Sequence, residues 1–154
     1  MTHGGFYKHF ETKDDLNAAA VGSAFGEIVD RFDARERADG ADAAIRAYVA
    51  EYLSSGHVEQ PDLGCPVAAL GADAGRRQGA LSAEFAAGAE ALIGRLSRSE
   101  PDGGEGDKGR AAAIRMLATL VGGVIVARAV GAGPLRDEVL AACAAPLALE
   151  ESSR

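Results

Sequence analysis

The sequence predicts an all-α fold, and three observations carry that expectation. Alanine and other strong helix formers fill long stretches, which favours helix by intrinsic propensity. Apolar residues recur at helical spacing, as at Val21, Phe25, Ile28 and Phe32, the i, i+4, i+7, i+11 stripe of an amphipathic helix. Alternating runs of β-branched and aromatic residues, the mark of a half-buried strand, are missing. With 154 residues, 47% hydrophobic and 25% charged, the chain has material for one globular core, or for one core and the remnant of a second domain.

Taken in order, Thr2 is placed to cap a short helix from His3 to about Phe10. Thr12 and Asp15 form a capping-box pair, with Asp where Glu is usual, and open a long helix. Its stripe reaches about Arg35, and Glu36–Gly40 reads as a turn. A third helix near Asp42–Ser54 carries Ile45, Tyr48, Val49 and Tyr52 on one face. Breakers make Ser55–Gly64 a loop. Cys65-Pro66 starts a short helix with proline in the first turn, where it is best tolerated, and Val67, Leu70 and Ala74 point inward. After Gly79 a long helix carries Leu81, Phe85, Leu92 and Leu96. Pro101–Gly109 is a glycine-rich loop.

Two closing helices, about Arg110–Val130 and Leu135–Ala148, are apolar on more than one side. Ile114, Leu117, Val121, Val124 and Arg128 share a stripe, while Ala111, Leu120, Ile125 and Val126 fill other faces. Such helices need partners on several sides, and a second subunit is a common one. Gly122-Gly123 costs about 2 kcal/mol of propensity against two alanines, tolerable where another helix approaches closely. Pro146 should end the last helix near Ala145.

The net charge of -7 argues against a protein that coats nucleic acid non-specifically. Residues 1–10, however, hold Lys8, His3 and His9 and no acid, which suits contact with DNA through one small surface. Cys65 and Cys143 make no disulfide framework. The most apolar run, Met116–Ala127, spans 12 residues, short of the roughly 20 that a bilayer span needs. No membrane partner and a cytoplasmic location are therefore expected.

The opening segment carries the functional signal. Phe6-Tyr7-Lys8-His9-Phe10, followed by Lys13 and Leu16, places two aromatics four apart beside phosphate-binding groups and a fresh helix start. It resembles the signature of TetR/AcrR regulators: hydrophobic, Tyr, variable, His, Phe, two variable, Lys, two variable, Leu. Gly64-Cys-Pro-Val-Ala-Ala-Leu-Gly71 is similar to one branch of that family. The resemblance implies a TetR-like helical regulator, a probable repressor whose DNA binding is relieved by a small-molecule effector. Residues 1–36 would be the remnant of a helix-turn-helix head, comprising recognition and linking helices. Residues 39–154 would be the effector-binding and dimerisation domain.

Carried onto this chain, the resemblance puts His3, Gly4 and Gly5 against base edges. Thr2, Tyr7, Lys8, His9 and Lys13 would meet phosphates, which position the helix without reading sequence. Partners are then a DNA operator, a second copy bound through the last two helices, and an effector of unknown identity. The effector site is expected around Tyr48, Tyr52, Cys65, Val67, Leu70, Phe85 and Ile114, with no cofactor and no metal. Two further helices, roughly 30 residues at ordinary lengths, would precede the recognition helix in the family. A truncated or mis-started regulator that dimerises but binds DNA poorly by itself is the resulting expectation.

Alternatives stay open. A truncated dimerisation or ligand-binding module without autonomous DNA binding is one. A thiol-based electrophile sensor is another, since Cys65 at a helix start would have its pKa lowered by the dipole and free amides. A small buried side chain is the plainer reading of that cysteine. His57 reads as a loop residue in water. Arg115 and Arg128 are expected to snorkel, to line a cavity, or to pair with Asp137 or Glu138 across the subunit interface. No nucleophile–base pair, phosphate loop, metal spacing or carboxylate dyad supports an enzyme.

Overall fold

The computed structural model describes residues 10, 12–61, 64–76, 79–99 and 107–147. Among these the chain is all-α. The short helix and the DNA contacts expected at Thr2, His3, Gly4, Gly5, Tyr7, Lys8 and His9 lie outside the described residues, as do most of the glycine-rich loop and Ala148.

Helix α1, Lys13–Asp39, begins as the Thr12-x-x-Asp15 pattern dictates. The Asp15 amide donates to the Thr12 hydroxyl at 3.1 Å, and the Thr12 amide donates to the Asp15 carboxylate at 2.9 Å. The helix does not stop at Arg35. It runs through Glu36–Asp39 to Gly40, whose φ of 87° breaks it, a backbone angle glycine tolerates without steric cost. The residues expected to turn are good helix formers, and ion pairs hold that end in place. Arg95 forks onto the Asp33 carboxylate at 3.1 and 3.0 Å, and Arg98 pairs with Glu36.

Helix α2 is Ala41–Tyr52. What reads as a loop contains a further short helix, α3, Ser55–Glu59, started by the Ser54 hydroxyl accepting from the His57 amide at 3.2 Å. Helix α4, Pro66–Arg76, and helix α5, Ala80–Leu96, follow, with a 3-10 turn at Ser97–Ser99. Helix α6, Asp107–Val130, starts earlier than its composition suggests. Its length and apolar character would suit a membrane span. Here it carries Leu117, Leu120, Val124 and Ala127 into the protein core. Helix α7, Pro134–Ala144, has proline in its first turn and gives way to a 3-10 turn at Ala145–Leu147, which agrees with the break expected at Pro146.

Two apolar clusters organise these elements, and α1 serves both. The larger joins Ile28 and Phe32 of α1 to Ile45, Tyr48, Val49 and Tyr52 of α2, Leu92 and Leu96 of α5, and the inner face of α6. The smaller joins Val21 and Phe25 to Ala74 of α4 and Leu81 of α5, with Val67 and Phe85 packed against it. In it α1 and α5 lie very close: a Cβ on Gly88 would come within 2.1 Å of the Phe25 ring.

Candidate functional site

A cavity of about 230 Å³ opens beside the larger cluster. One wall is the α1 stripe Ile28, Arg31, Phe32 and Arg35, residues three and four apart that helical geometry stacks on one face. Tyr48, Glu51 and Tyr52 of α2 form the facing wall. The connection from α2 to α4 closes the remainder through Ser54, Gly56, His57, Gln60, Gly64 and Cys65.

The wall is aromatic. Phe32 and Tyr48 meet edge to face at a centroid distance of 6.0 Å, and Tyr48 and Tyr52 stand 5.6 Å apart. Tyr48 and Tyr52 are only 8% and 4% exposed. Among the described residues the Tyr48 hydroxyl has no hydrogen-bond partner, and the Tyr52 hydroxyl has beside it only the Cys65 thiol, a weak one. Burial pushes both phenols well above their ordinary pKa, and the neighbouring Cys65 thiol pushes the same way, so both hydroxyls keep their protons. A buried hydroxyl without a partner costs about 1–3 kcal/mol.

The polar groups at the mouth are unequally matched. Arg35 pairs with Glu51 at 2.6 Å. Arg31, on the same stripe, forms no ion pair or hydrogen bond among the described residues, and it acts electrostatically on the Tyr48 hydroxyl.

His57 is not a loop residue in water; it is half-buried and fixes the floor of the cavity. Its Nε2 accepts from the Cys65 amide at 3.1 Å, so the ring proton resides on Nδ1, which donates to the Tyr52 carbonyl at 2.6 Å. The ring meets Tyr52 edge-on at 4.5 Å. Burial lowers its pKa, Arg128 acts in the same direction, and the hydrogen bond to Tyr52 opposes both. Neutral His57 thus ties the end of α2 to the start of α4.

Arg128 of α6 secures the same segment from behind. Its guanidinium donates to the His57 carbonyl at 2.8 Å and to the Val58 carbonyl at 3.1 Å. Within the chain it pairs with neither Asp137 nor Glu138, since two carbonyls of α3 take up its donors. Arg115 is exposed. Gly64 completes the arrangement: a Cβ there would sit 2.7 Å from His57 Nε2 and 3.0 Å from the Arg128 guanidinium.

Of the residues expected to line an effector site, Tyr48, Tyr52 and Cys65 come together around this cavity. The other four do not. Val67 packs between the two clusters, and Phe85 lies edge-on to Phe25 at 5.7 Å in the smaller one. Leu70 and Ile114 are 40% and 44% exposed. For Leu70 the expectation of an inward side chain fails because α4 buries Pro66 and Ala74 instead. Lys13, the one expected phosphate contact among the described residues, is exposed at the first turn of α1.

Cys65 also departs from expectation. It is 4% exposed, and burial raises its thiol pKa although Tyr52 and the Val67 and Ala68 amides pull the other way. Desolvation outweighs the helix start, and a protonated thiol is a poor nucleophile. His57 cannot serve as its base, since both ring nitrogens are engaged.

Sequence reasoning missed Arg31, Arg35, Glu51 and His57. A signal existed for the first two: they flank Phe32 on the apolar stripe of α1, where a solvated helix face would not place them. No protein-family model matches the chain, and comparison with curated proteins finds no match.

Proposed function

We propose that this chain is a TetR-type transcriptional regulator, a repressor whose grip on DNA responds to a small molecule held in the cavity between α1 and α2. The observation that carries this reading is the double use of α1. Its C-terminal half supplies one wall of the cavity, through Ile28, Arg31, Phe32 and Arg35. Its N-terminal end, fixed by the Thr12–Asp15 box, continues directly from the Phe6–Phe10 signature. A ligand that shifts the wall would reorient the helix that carries the signature, biasing two preexisting arrangements.

A second copy fits the surface. Ile114, Ile125, Val126 and Val130 of α6 and Leu135 of α7 are exposed apolar side chains, an outward face of a kind that commonly marks an interface. Gly122 has nothing within 4 Å of where a Cβ would stand, so another helix can approach there. Pairing through α6 and α7 gives the two-fold symmetry that a palindromic operator requires. A regulator of this type works in the cytoplasm.

Fluorescence anisotropy with DNA flanking the chain's own coding sequence tests the reading. For the chain extended by any in-frame coding sequence upstream, binding at least about a thousand-fold tighter than to random DNA at the same salt is expected, lost when Ile125→Asp and Val126→Asp separate the copies. Equal binding to both DNAs would overturn it. Should the chain dimerise and take up a ligand yet ignore DNA, a dimerisation and ligand-binding module is the reading that survives.

A further inference from the structure

We propose that the cavity is a receptor for a small single-ring carboxylate, its carboxylate accepting hydrogen bonds from Arg31 and the Tyr48 and Tyr52 hydroxyls, its ring against Ile28 and Phe32. The inference rests on the effector-site reading above and gives that site a ligand class.

Size limits the ligand first. A protein cavity of about 150 Å³ takes up benzene, and drug-sized ligands occupy pockets from about 300 Å³ upward. A volume of about 230 Å³ therefore suits one ring with one or two short substituents.

The polar groups then select the chemistry. Tyr48 and Tyr52 are more than nine-tenths buried and line the cavity; the Tyr48 hydroxyl has no partner among the described residues, and the Tyr52 hydroxyl has only the weak Cys65 thiol beside it. Both phenols stay protonated and can donate. Arg31 only donates, and it is close enough to act on the Tyr48 hydroxyl. Of the other polar lining groups, Glu51 is engaged by Arg35, Ser54 by the Glu51 carbonyl and the His57 amide, and both His57 nitrogens by backbone, while Gln60 is exposed to solvent. What remains is a donor set with one positive charge not matched by a lining carboxylate. An anionic acceptor satisfies it, and hydrogen bonds to charged groups are the strong ones. A neutral ring of equal size would leave Arg31 unmatched. The aromatic wall of Phe32, Tyr48 and Tyr52 disfavours an inorganic anion, which has no apolar surface to bury there.

Isothermal titration of the full chain with sodium benzoate and with benzamide, its uncharged counterpart, is the test. Benzoate is expected to bind one molecule per chain, about ten-fold or more tighter than benzamide. Arg31→Met should weaken benzoate about ten-fold and leave benzamide unchanged. Arg31 is exposed, so this variant folds. Tyr48→Phe should weaken benzoate as well. Equal affinity for the two compounds, or benzoate binding untouched by Arg31→Met, overturns the carboxylate assignment. So does the failure of benzoate to bind at up to about 10 mM. The regulator reading is judged separately by the DNA titration. Its failure there leaves a benzoate-binding site standing, and failure of benzoate leaves selective DNA binding standing.

Discussion

The two ends of α1 are packed to different purposes. Around Val21 and Phe25 the helix meets α5 so closely that glycine is the only residue that fits at position 88, and Glu84, which reaches across beside Gly22, stays exposed. Around Ile28 and Phe32 the same helix faces a cavity edged by two guanidiniums, with two buried hydroxyls that have no strong partner among the described residues. Close packing of apolar groups is what stability alone selects. Retaining poorly paired polar groups next to open volume is not, and that contrast marks the second region as the candidate site. α1 is thus clamped at one half and left responsive at the other.

The largest effect is expected in the clamp. Phe25→Ala removes the ring that fills the smaller cluster and should cost about 3–5 kcal/mol. Gly88→Ala attacks the same contact from the other helix, where the new Cβ would lie 2.1 Å from a ring carbon of Phe25. Neither α1 nor α5 can move freely, since Arg95 ties them through Asp33. About 3 kcal/mol is expected, or a fall in Tm of roughly 6–12 °C for a chain of this size. Circular dichroism melting checks both. A Gly88→Ala protein as stable as the parent would show that the clamp is looser than its geometry.

Next comes the support behind the cavity. Arg128→Met keeps the aliphatic stem but withdraws donors from the His57 and Val58 carbonyls, and should cost about 2 kcal/mol. Its diagnostic consequence is local: faster amide exchange is expected in α3 and at Cys65 than in α5. Uniform loss of protection would mean that Arg128 supports the whole fold and not this segment.

How far such features were legible follows from the range of the forces involved. The α1 stripe, the Thr12–Asp15 box and the break near Pro146 are local patterns, set by periodicity and capping within one turn or two, and the sequence displayed them. Tyr48, Tyr52 and Cys65 were legible as candidates because large or reactive residues on a helix face or at a helix start stand out. The His57–Cys65–Arg128 arrangement was not, because it joins residues 8 and 71 positions apart, and nothing in Ser55–Gly64 announces that an arginine from α6 will satisfy its carbonyls. Leu70 misled for the complementary reason. Apolar residues do occur on surfaces, and only the packing of α4 decides which of its faces is buried.

Acid sharpens the comparison further, because a histidine belongs to one region only. His57 is held below its ordinary pKa of 6.5, chiefly by burial. The unfolded chain therefore binds its proton first as pH falls, and stability is lost from about pH 6.5 downward until the folded form is protonated too. The slope cannot exceed about 1.4 kcal/mol per pH unit for one proton. Asp33 is lowered mainly by its hydrogen bond to Arg95, so its contribution is present above 3.8 and fades only in stronger acid. Urea melts between neutral pH and pH 5 should show the loss in the parent and not in His57→Gln. A pH-independent parent would mean that His57 is solvated.

The smallest effect discriminates best. Tyr52→Phe deletes a buried hydroxyl whose sole neighbour of hydrogen-bonding kind among the described residues is the Cys65 thiol, and keeps the ring that packs on Tyr48 and His57. In an interior selected for stability, removing a polar group of this kind should be costly, because its hydrogen bond goes with it. Here at most a weak contact with the Cys65 thiol is lost, and the cost of keeping the hydroxyl from water disappears. The variant should melt at the parent's temperature or slightly above, a gain of about 0–1 kcal/mol, while its affinity for benzoate falls. Opposite signs for stability and binding would place the hydroxyl in service of a ligand. A loss of stability of more than about 1 kcal/mol would instead assign Tyr52 to the same structural role as Phe25, and the distinction between the two halves of α1 would close.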